Sequence, residues 1–227
     1  MKILAHRGYW GENIKNNSPE ALHRALENGF GFESDIRDYC GKMVISHDIA
    51  TADSQNAEEV LDWLAEFQDE YCFAINIKSD GLKTQLLEHL RRRNLKNYFT
   101  FDMSVPQMIE YRELGLTYFT RQSEVEDQPV LYEDAAGIWI DGFFGDVWID
   151  EALLQSHIAA NKTICLVSPD LHKREHMEFW KRLRSYSIAF ERIMLCTDHP
   201  ILQRLFIKEH AKWVPKSKRS YLIWMVC

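Results

Sequence analysis

Apolar residues in this chain fall into two alternating kinds of segment. Short runs over 2–6, 31–37, 72–78, 98–102, 117–121, 137–141, 163–168 and 192–197 read as strands. A further run, 43–46, can pair with the second across the turn Tyr39-Cys40-Gly41-Lys42, leaving His47 at its end. Between the runs, apolar residues recur at helical spacing, as in Val60, Leu61, Leu64 and Phe67. This pattern predicts helices over 20–27, 58–67, 82–93, 106–114, 151–160, 175–186 and 201–211. The first has readable ends: Ser18 as N-cap, Pro19 at the first helical position, Glu20 in the first turn, and Asn28-Gly29 as the stop. Only 122–136 shows no long amphipathic helix.

Strand–helix alternation implies right-handed crossovers and a parallel sheet. Eight repeats predict an α/β fold of the (β/α)8 TIM-barrel type. A doubly wound sheet would carry a Gly-rich phosphate loop after its first strand, and none follows 2–6. With 227 residues, 46% of them hydrophobic, the chain can bury a core of barrel size. The expected organisation is one barrel domain over 1–212 and an extension over 213–227, basic at Lys216, Lys218 and Arg219.

The net charge of -7 argues against a basic nucleic-acid-binding surface. No apolar run approaches the roughly 20 residues that span a bilayer, so stable membrane insertion is not expected. The chain opens directly into a strand with no apolar leader, which makes the cytoplasm the expected compartment. Five cysteines (Cys40, Cys72, Cys165, Cys196, Cys227) form no CxxC pair. Four lie inside or beside apolar runs and read as reduced core residues.

Barrel chemistry collects at the carboxyl ends of the strands. In order, those ends carry His6 and Arg7, Glu33 and Asp35, Asn76 and Lys78, then Asp102, Arg121, Asp141, Ser168 and Asp198. Glu33 and Asp35 are two apart, so they share one face with Cα atoms about 6.5–7 Å apart. Asn76 and Lys78 repeat that spacing on the next strand. Two like charges on one face are held either by cationic side chains or by a metal ion. Carboxylates suit Mg2+ or Ca2+, a guanidinium grips phosphate, and His6 and His47 can move protons near neutral pH. Together they point to phosphodiester chemistry on a hard divalent cation. His172 and His176, four apart, have no acidic partner in zincin position and carry little weight.

The motifs His6-Arg7-Gly8, Asn17-Ser18, Gly31 with Glu33-Ser34-Asp35, His47-Asp48 and Thr197-Asp198-His199-Pro200 resemble the glycerophosphodiester phosphodiesterase family. These are TIM barrels of the wider phosphatidylinositol-phospholipase-like group. The resemblance spans residues 2 to about 211, with its specific motifs in the first 80. It implies a phosphoric diester hydrolase that cleaves glycerophosphodiesters, or related polyol phosphodiesters, to a phosphomonoester and an alcohol. It implies His6 and His47 as the acid/base pair, Arg7 and Lys78 on the phosphate, and Glu33, Asp35 and Asn76 around Mg2+ or Ca2+. The implied partner is a small-molecule phosphodiester.

Three departures from the family pattern stand out. The third strand reads Asn76-Ile77-Lys78 where the family has Glu-x-Lys, so one ligand charge is missing, and Asp102 or Asp141 could replace it. Asn16 stands where a Glu normally precedes the Asn-Thr/Ser pair. The long insertion after His-Asp is cut to 49–71, which leaves the alcohol specificity open. Two alternatives follow: a degenerate barrel that binds a phosphorylated ligand without turnover, and a lyase that stops at a cyclic phosphate.

Overall fold

A computed structural model describes residues 1–11 and 13–213. Ten strands and seven α-helices follow one another in chain order. The chain opens with β1 (Lys2–His6), α1 (Pro19–Glu27), β2 (Gly31–Tyr39), β3 (Lys42–Ile45), β4 (Gln55–Asn56), α2 (Ala57–Glu66), β5 (Phe73–Ile77) and α3 (Lys83–Arg92). It continues with β6 (Tyr98–Phe101), α4 (Val105–Glu113), β7 (Phe119–Gln122), β8 (Gly137–Ile140), α5 (Glu151–Ala159), β9 (Thr163–Val167), α6 (Met177–Ser185), β10 (Ile193–Thr197) and α7 (Pro200–Trp213). Helix α7 runs one residue past the expected domain end at 212. The extension expected beyond it lies, apart from Trp213, outside the described residues.

Helix starts are set by side-chain caps. Ser18, Ser104 and Asp150 accept hydrogen bonds from the amides of Ala21, Gln107 and Leu153. Pro19 and Pro106 occupy first-turn positions where no amide donor is needed. No helix forms between β7 and β8, as the unpatterned stretch predicts.

Eight strands run parallel in the ring β6-β5-β2-β1-β10-β9-β8-β7. At the β6–β7 seam a single bridge, Thr100 to Tyr118, joins the ends, with the Thr100 amide donating to the Thr117 carbonyl at 2.9 Å. Side-chain alternation then sorts each strand in two. Outward residues such as Ala5, Phe32, Ile36, Phe73, Ile75 and Ile77 pack under the helices, as do Ile138, Ile140, Ile164, Leu166, Ile193 and Leu195 on the other side. Inward residues Leu4, Cys72, Ala74, Phe99, Phe101, Phe119, Trp139, Cys165, Val167, Met194 and Cys196 fill the barrel. Phe99 stacks on Phe119 at 3.8 Å between centroids and Phe101 on Trp139 at 4.0 Å, so one half of the interior is floored by aromatic rings. Cys72, Cys165 and Cys196 are buried thiols in this core, Cys40 is exposed, and Cys227 lies outside the described residues.

The hairpin β2–β3 explains how His47 reaches the barrel mouth. Strand β2 overshoots the ring, and β3 returns antiparallel along it, pairing Tyr39 with Lys42 and Ile36 with Ile45. The Ser46 amide then donates to the Asp35 carbonyl at 3.0 Å, which sets the next residue, His47, beside the end of the barrel.

Candidate active site

Extending the inward alternation by one residue per strand reaches the polar layer above the aromatic floor. Leu4 leads to His6, Glu33 to Asp35, Ala74 to Asn76, Phe119 to Arg121, Trp139 to Asp141 and Cys196 to Asp198. The mouth is thus lined by groups whose orientation the strand period sets.

His6 sits 2.7 Å from Asp198 through Nδ1 and Oδ1, and its Nε2 lies 3.8 Å from Glu33 Oε2. Burial alone would lower the imidazole pKa. The Asp198 hydrogen bond and the charges of Glu33 and Asp198 outweigh it and hold the value above the ordinary histidine range. Glu33 is buried and beside Asp35, and these two causes raise its carboxyl to about 7 against Lys78, Arg7 and His6, which act the other way.

Asp35 is held from three sides. Arg7 Nε stands 3.3 Å from Oδ2, the Asn17 side-chain amide donates to Oδ2 at 2.7 Å, and Lys78 Nζ lies 3.4 Å from Oδ1. Of the two ways to hold the acidic pair, cationic side chains do so for Asp35, and they are Arg7 and Lys78. Arg37 instead donates to the carbonyl of His47. Asn17 also accepts from Ser34 Oγ at 2.7 Å, and its amide donates to the Arg7 carbonyl. One residue thereby ties the β1 loop, the start of α1 and β2 together.

Glycine is required beside Arg7. Gly8 has φ +86°, and a Cβ there would stand 2.6 Å from the Ala21 carbonyl carbon. The β1 turn packs directly on the α1 backbone, where Tyr9 donates its amide to the Ala21 carbonyl at 2.8 Å. Arg7 itself is left-handed, at φ +54°.

His47 is placed differently. Its side chain is 43% exposed against 18% for His6, and its Nδ1 meets Asp48 Oδ1 at 2.9 Å. Asp48 is held below its usual range, first by its hydrogen bond with His47.

The oxygen set that the sequence predicts for a cation is Glu33, Asp35 and Asn76. Asp35 and Asn76 are register partners on adjacent strands; Asn76 Oδ1 is buried without a hydrogen-bond donor, and Asp35 Oδ1 has the Lys78 ammonium at 3.4 Å but no hydrogen bond. Buried oxygens that lack a hydrogen-bond donor on neighbouring register positions fit a divalent ion, which prefers oxygen ligands. Among the described residues no three His, Cys, Asp or Glu side chains converge at ligand spacing. Asp102 and Asp141 are engaged elsewhere, with Arg121 at 2.9 Å and His172 at 2.6 Å. His172 and His176 part company, the latter packing against Trp180 and His199.

Sequence reasoning left one support without a role and missed another. Asp198 is legible at a strand end and in Thr197-Asp198-His199-Pro200, but its contact with His6 is not. Behind it, Asp170 accepts from the Asp198 amide at 2.7 Å and from Thr197 Oγ1 at 2.9 Å, with no linear signal to reveal it.

No protein-family model matches the chain, and no curated protein matches it in sequence. Solved structures match it over nearly its whole length. A putative glycerophosphodiester phosphodiesterase from Galdieria sulphuraria matches at TM-score 0.73 and 15% identity, covering 91% of this chain and 97% of that one. A glycerophosphodiester phosphodiesterase from Parabacteroides distasonis matches at 0.69 and 16%, covering 92% and 98%. An Oleispira antarctica phosphodiesterase in complex with the product sn-glycerol-3-phosphate matches at 0.66 and 14%, covering 92% and 97%. The chain has the α/β barrel fold of these phosphodiesterases. No helix among the described residues is long and apolar enough to cross a membrane.

Proposed function

We propose that this protein is a divalent-cation-dependent phosphodiester hydrolase acting on glycerophosphodiesters or related polyol phosphodiesters. The observation that carries the reading is the grouping of His6, Glu33, Asp35, Arg7 and Lys78, from three separate strand ends, around one small volume at the barrel mouth. The neighbours' names support it, as does the glycerol phosphate bound by one of them.

In this reading Arg7 and Lys78 neutralise the phosphate, and His6 and His47 exchange protons with its two alcohol arms. Asp198 holds His6 with Nδ1–H toward the carboxylate, leaving Nε2 as the reacting nitrogen. A hydroxyl next to the phosphate gives its proton to His6, and its oxygen attacks phosphorus. The bond to the other alcohol breaks, and His47 gives that oxygen a proton. Water then opens the cyclic ester, so one diester and one water yield a phosphomonoester and an alcohol. Mg2+ or Ca2+ held by Glu33, Asp35 and Asn76 would supply Lewis-acid polarisation of the phosphoryl oxygens.

The test is hydrolysis of a panel of glycerophosphodiesters in Mg2+ or Ca2+, with chelator and with His6→Ala and His47→Ala. Phosphorus NMR of the product distinguishes a hydrolase from a lyase that stops at the cyclic phosphate. Turnover that survives both substitutions rejects the reading. A second reading, binding without turnover, draws on the pairing of Asp35 with Arg7 and Lys78 and on the amide at Asn76. Saturable binding of glycerol phosphate with no product from any diester would favour it.

A further inference from the structure

Across the mouth from His6, the polar layer continues over β6 to β9 in groups the proposed chemistry does not use. Arg121 and Asp141 inherit the inward direction of Phe119 and Trp139. Arg121 donates to Asp102 at 2.9 Å and to Glu126 at 2.9 Å, and His172 Nε2 lies 2.6 Å from Asp141. The Phe143 ring stands edge-on to His172 at 5.7 Å and 5.8 Å from the Arg121 guanidinium. This wall is continuous with the phosphate side. Arg121 and Asp141 stand at the carboxyl ends of parallel ring strands, in the same inward-facing layer as His6 and Asp35. A cavity of about 290 Å³ opens beside Asp102 and Arg121, lined also by Met103, Phe119, Val125 and Val130.

The charge of this wall excludes several ligands. Arg121 is matched by two carboxylates, and Asp141 has only a titratable partner, so a second phosphate would meet net negative charge. A quaternary ammonium needs aromatic faces around it; here Phe143 stands against His172 and Arg121, and Phe119 on the cavity wall has a face stacked on Phe99. Hydroxyl groups fit, because each both donates and accepts, and the wall alternates acceptors (Asp102, Asp141) with donors (Arg121, His172).

We propose that Asp102, Arg121, Asp141 and His172 bind the leaving alcohol of the diester, and that this alcohol is a polyol. The inference rests on the phosphodiesterase reading, in which the attacking hydroxyl keeps its own arm near His6 and leaves the other arm free to reach across.

The test compares kcat/KM for glycerophosphodiesters sharing one glycerol arm and differing in the other: inositol or glycerol, choline, ethanolamine, and a long alkyl chain. The expected result is a preference for the polyol arms of at least about tenfold, since their hydroxyls can add hydrogen bonds to these side chains that a choline or alkyl arm cannot. Asp141→Asn and His172→Gln should each bring that ratio down toward one, with thermal unfolding confirming that the variants fold. Preference for the choline, ethanolamine or alkyl arm, or a ratio unmoved in both variants, overturns the subsite. Affinity of the same intact diesters for the His6→Ala protein reads the subsite separately. Polyol preference there without turnover in the wild type would sink the hydrolase and keep the wall, whereas hydrolysis without arm preference would do the reverse.

Discussion

His6 Nδ1 and Asp198 Oδ1 lie 2.7 Å apart although 192 positions separate them in the chain. The contact exists because β1 and β10 are parallel neighbours, with Ala5 level with Thr197. Their next residues therefore emerge together at the mouth, and Asp170 accepts from the Asp198 amide behind them.

From this follows the first prediction. His6→Ala should lower kcat by about 10²–10⁴-fold. Asp198→Asn should cost less and move the acid limb of the pH–rate profile to lower pH, because Asp198 raises the His6 pKa. Steady-state kinetics from pH 5 to 9 read both. An unmoved limb in the Asp198 variant would show that it does not position His6.

Glu33 makes stability depend on pH. Its folded carboxyl titrates at about 7 against an ordinary 4.5, so the native state holds a proton that the unfolded chain releases. The resulting stabilisation is full below the unfolded value and is lost as pH rises toward about 7. Thermal unfolding in chelator should show that loss, and Glu33→Gln should flatten it. Parallel pH dependence in the two proteins would reject the assignment.

A cation at this site must displace the Glu33 proton, so Mg2+ affinity should climb between about pH 5 and 7. Asn76→Glu should tighten Mg2+ binding at neutral pH by restoring a third charge. Isothermal titration checks both, and an affinity unchanged by that substitution counts against Asn76 as a ligand.

Gly8→Ala should destabilise the fold by about 2–4 kcal/mol, from left-handed backbone and a Cβ forced against the Ala21 carbonyl. Urea unfolding measures it. Gly41→Ala, also at positive φ (+77°) but with nothing within 4 Å of the new Cβ, should cost less.

Much of this molecule is written in local pattern. Apolar runs and helical spacing predict the eight barrel strands and the seven α-helices within a few residues, because a strand buried on both faces and a helix buried on one each carry that pattern whatever their partners are. Strand period also predicts that Glu33 and Asp35 share a face, and motif spacing singles out His6, Arg7, His47, Asn76 and Lys78. Tertiary structure decided what those groups touch. That Asp35 is held by Arg7, Lys78 and Asn17, that Asp198 backs His6, and that Asp141 faces His172 all depend on strand register and ring order. Such contacts join residues tens to hundreds of positions apart, and no local preference encodes them. Only the curvature of the sheet turns eight separate strand ends into one polar ring.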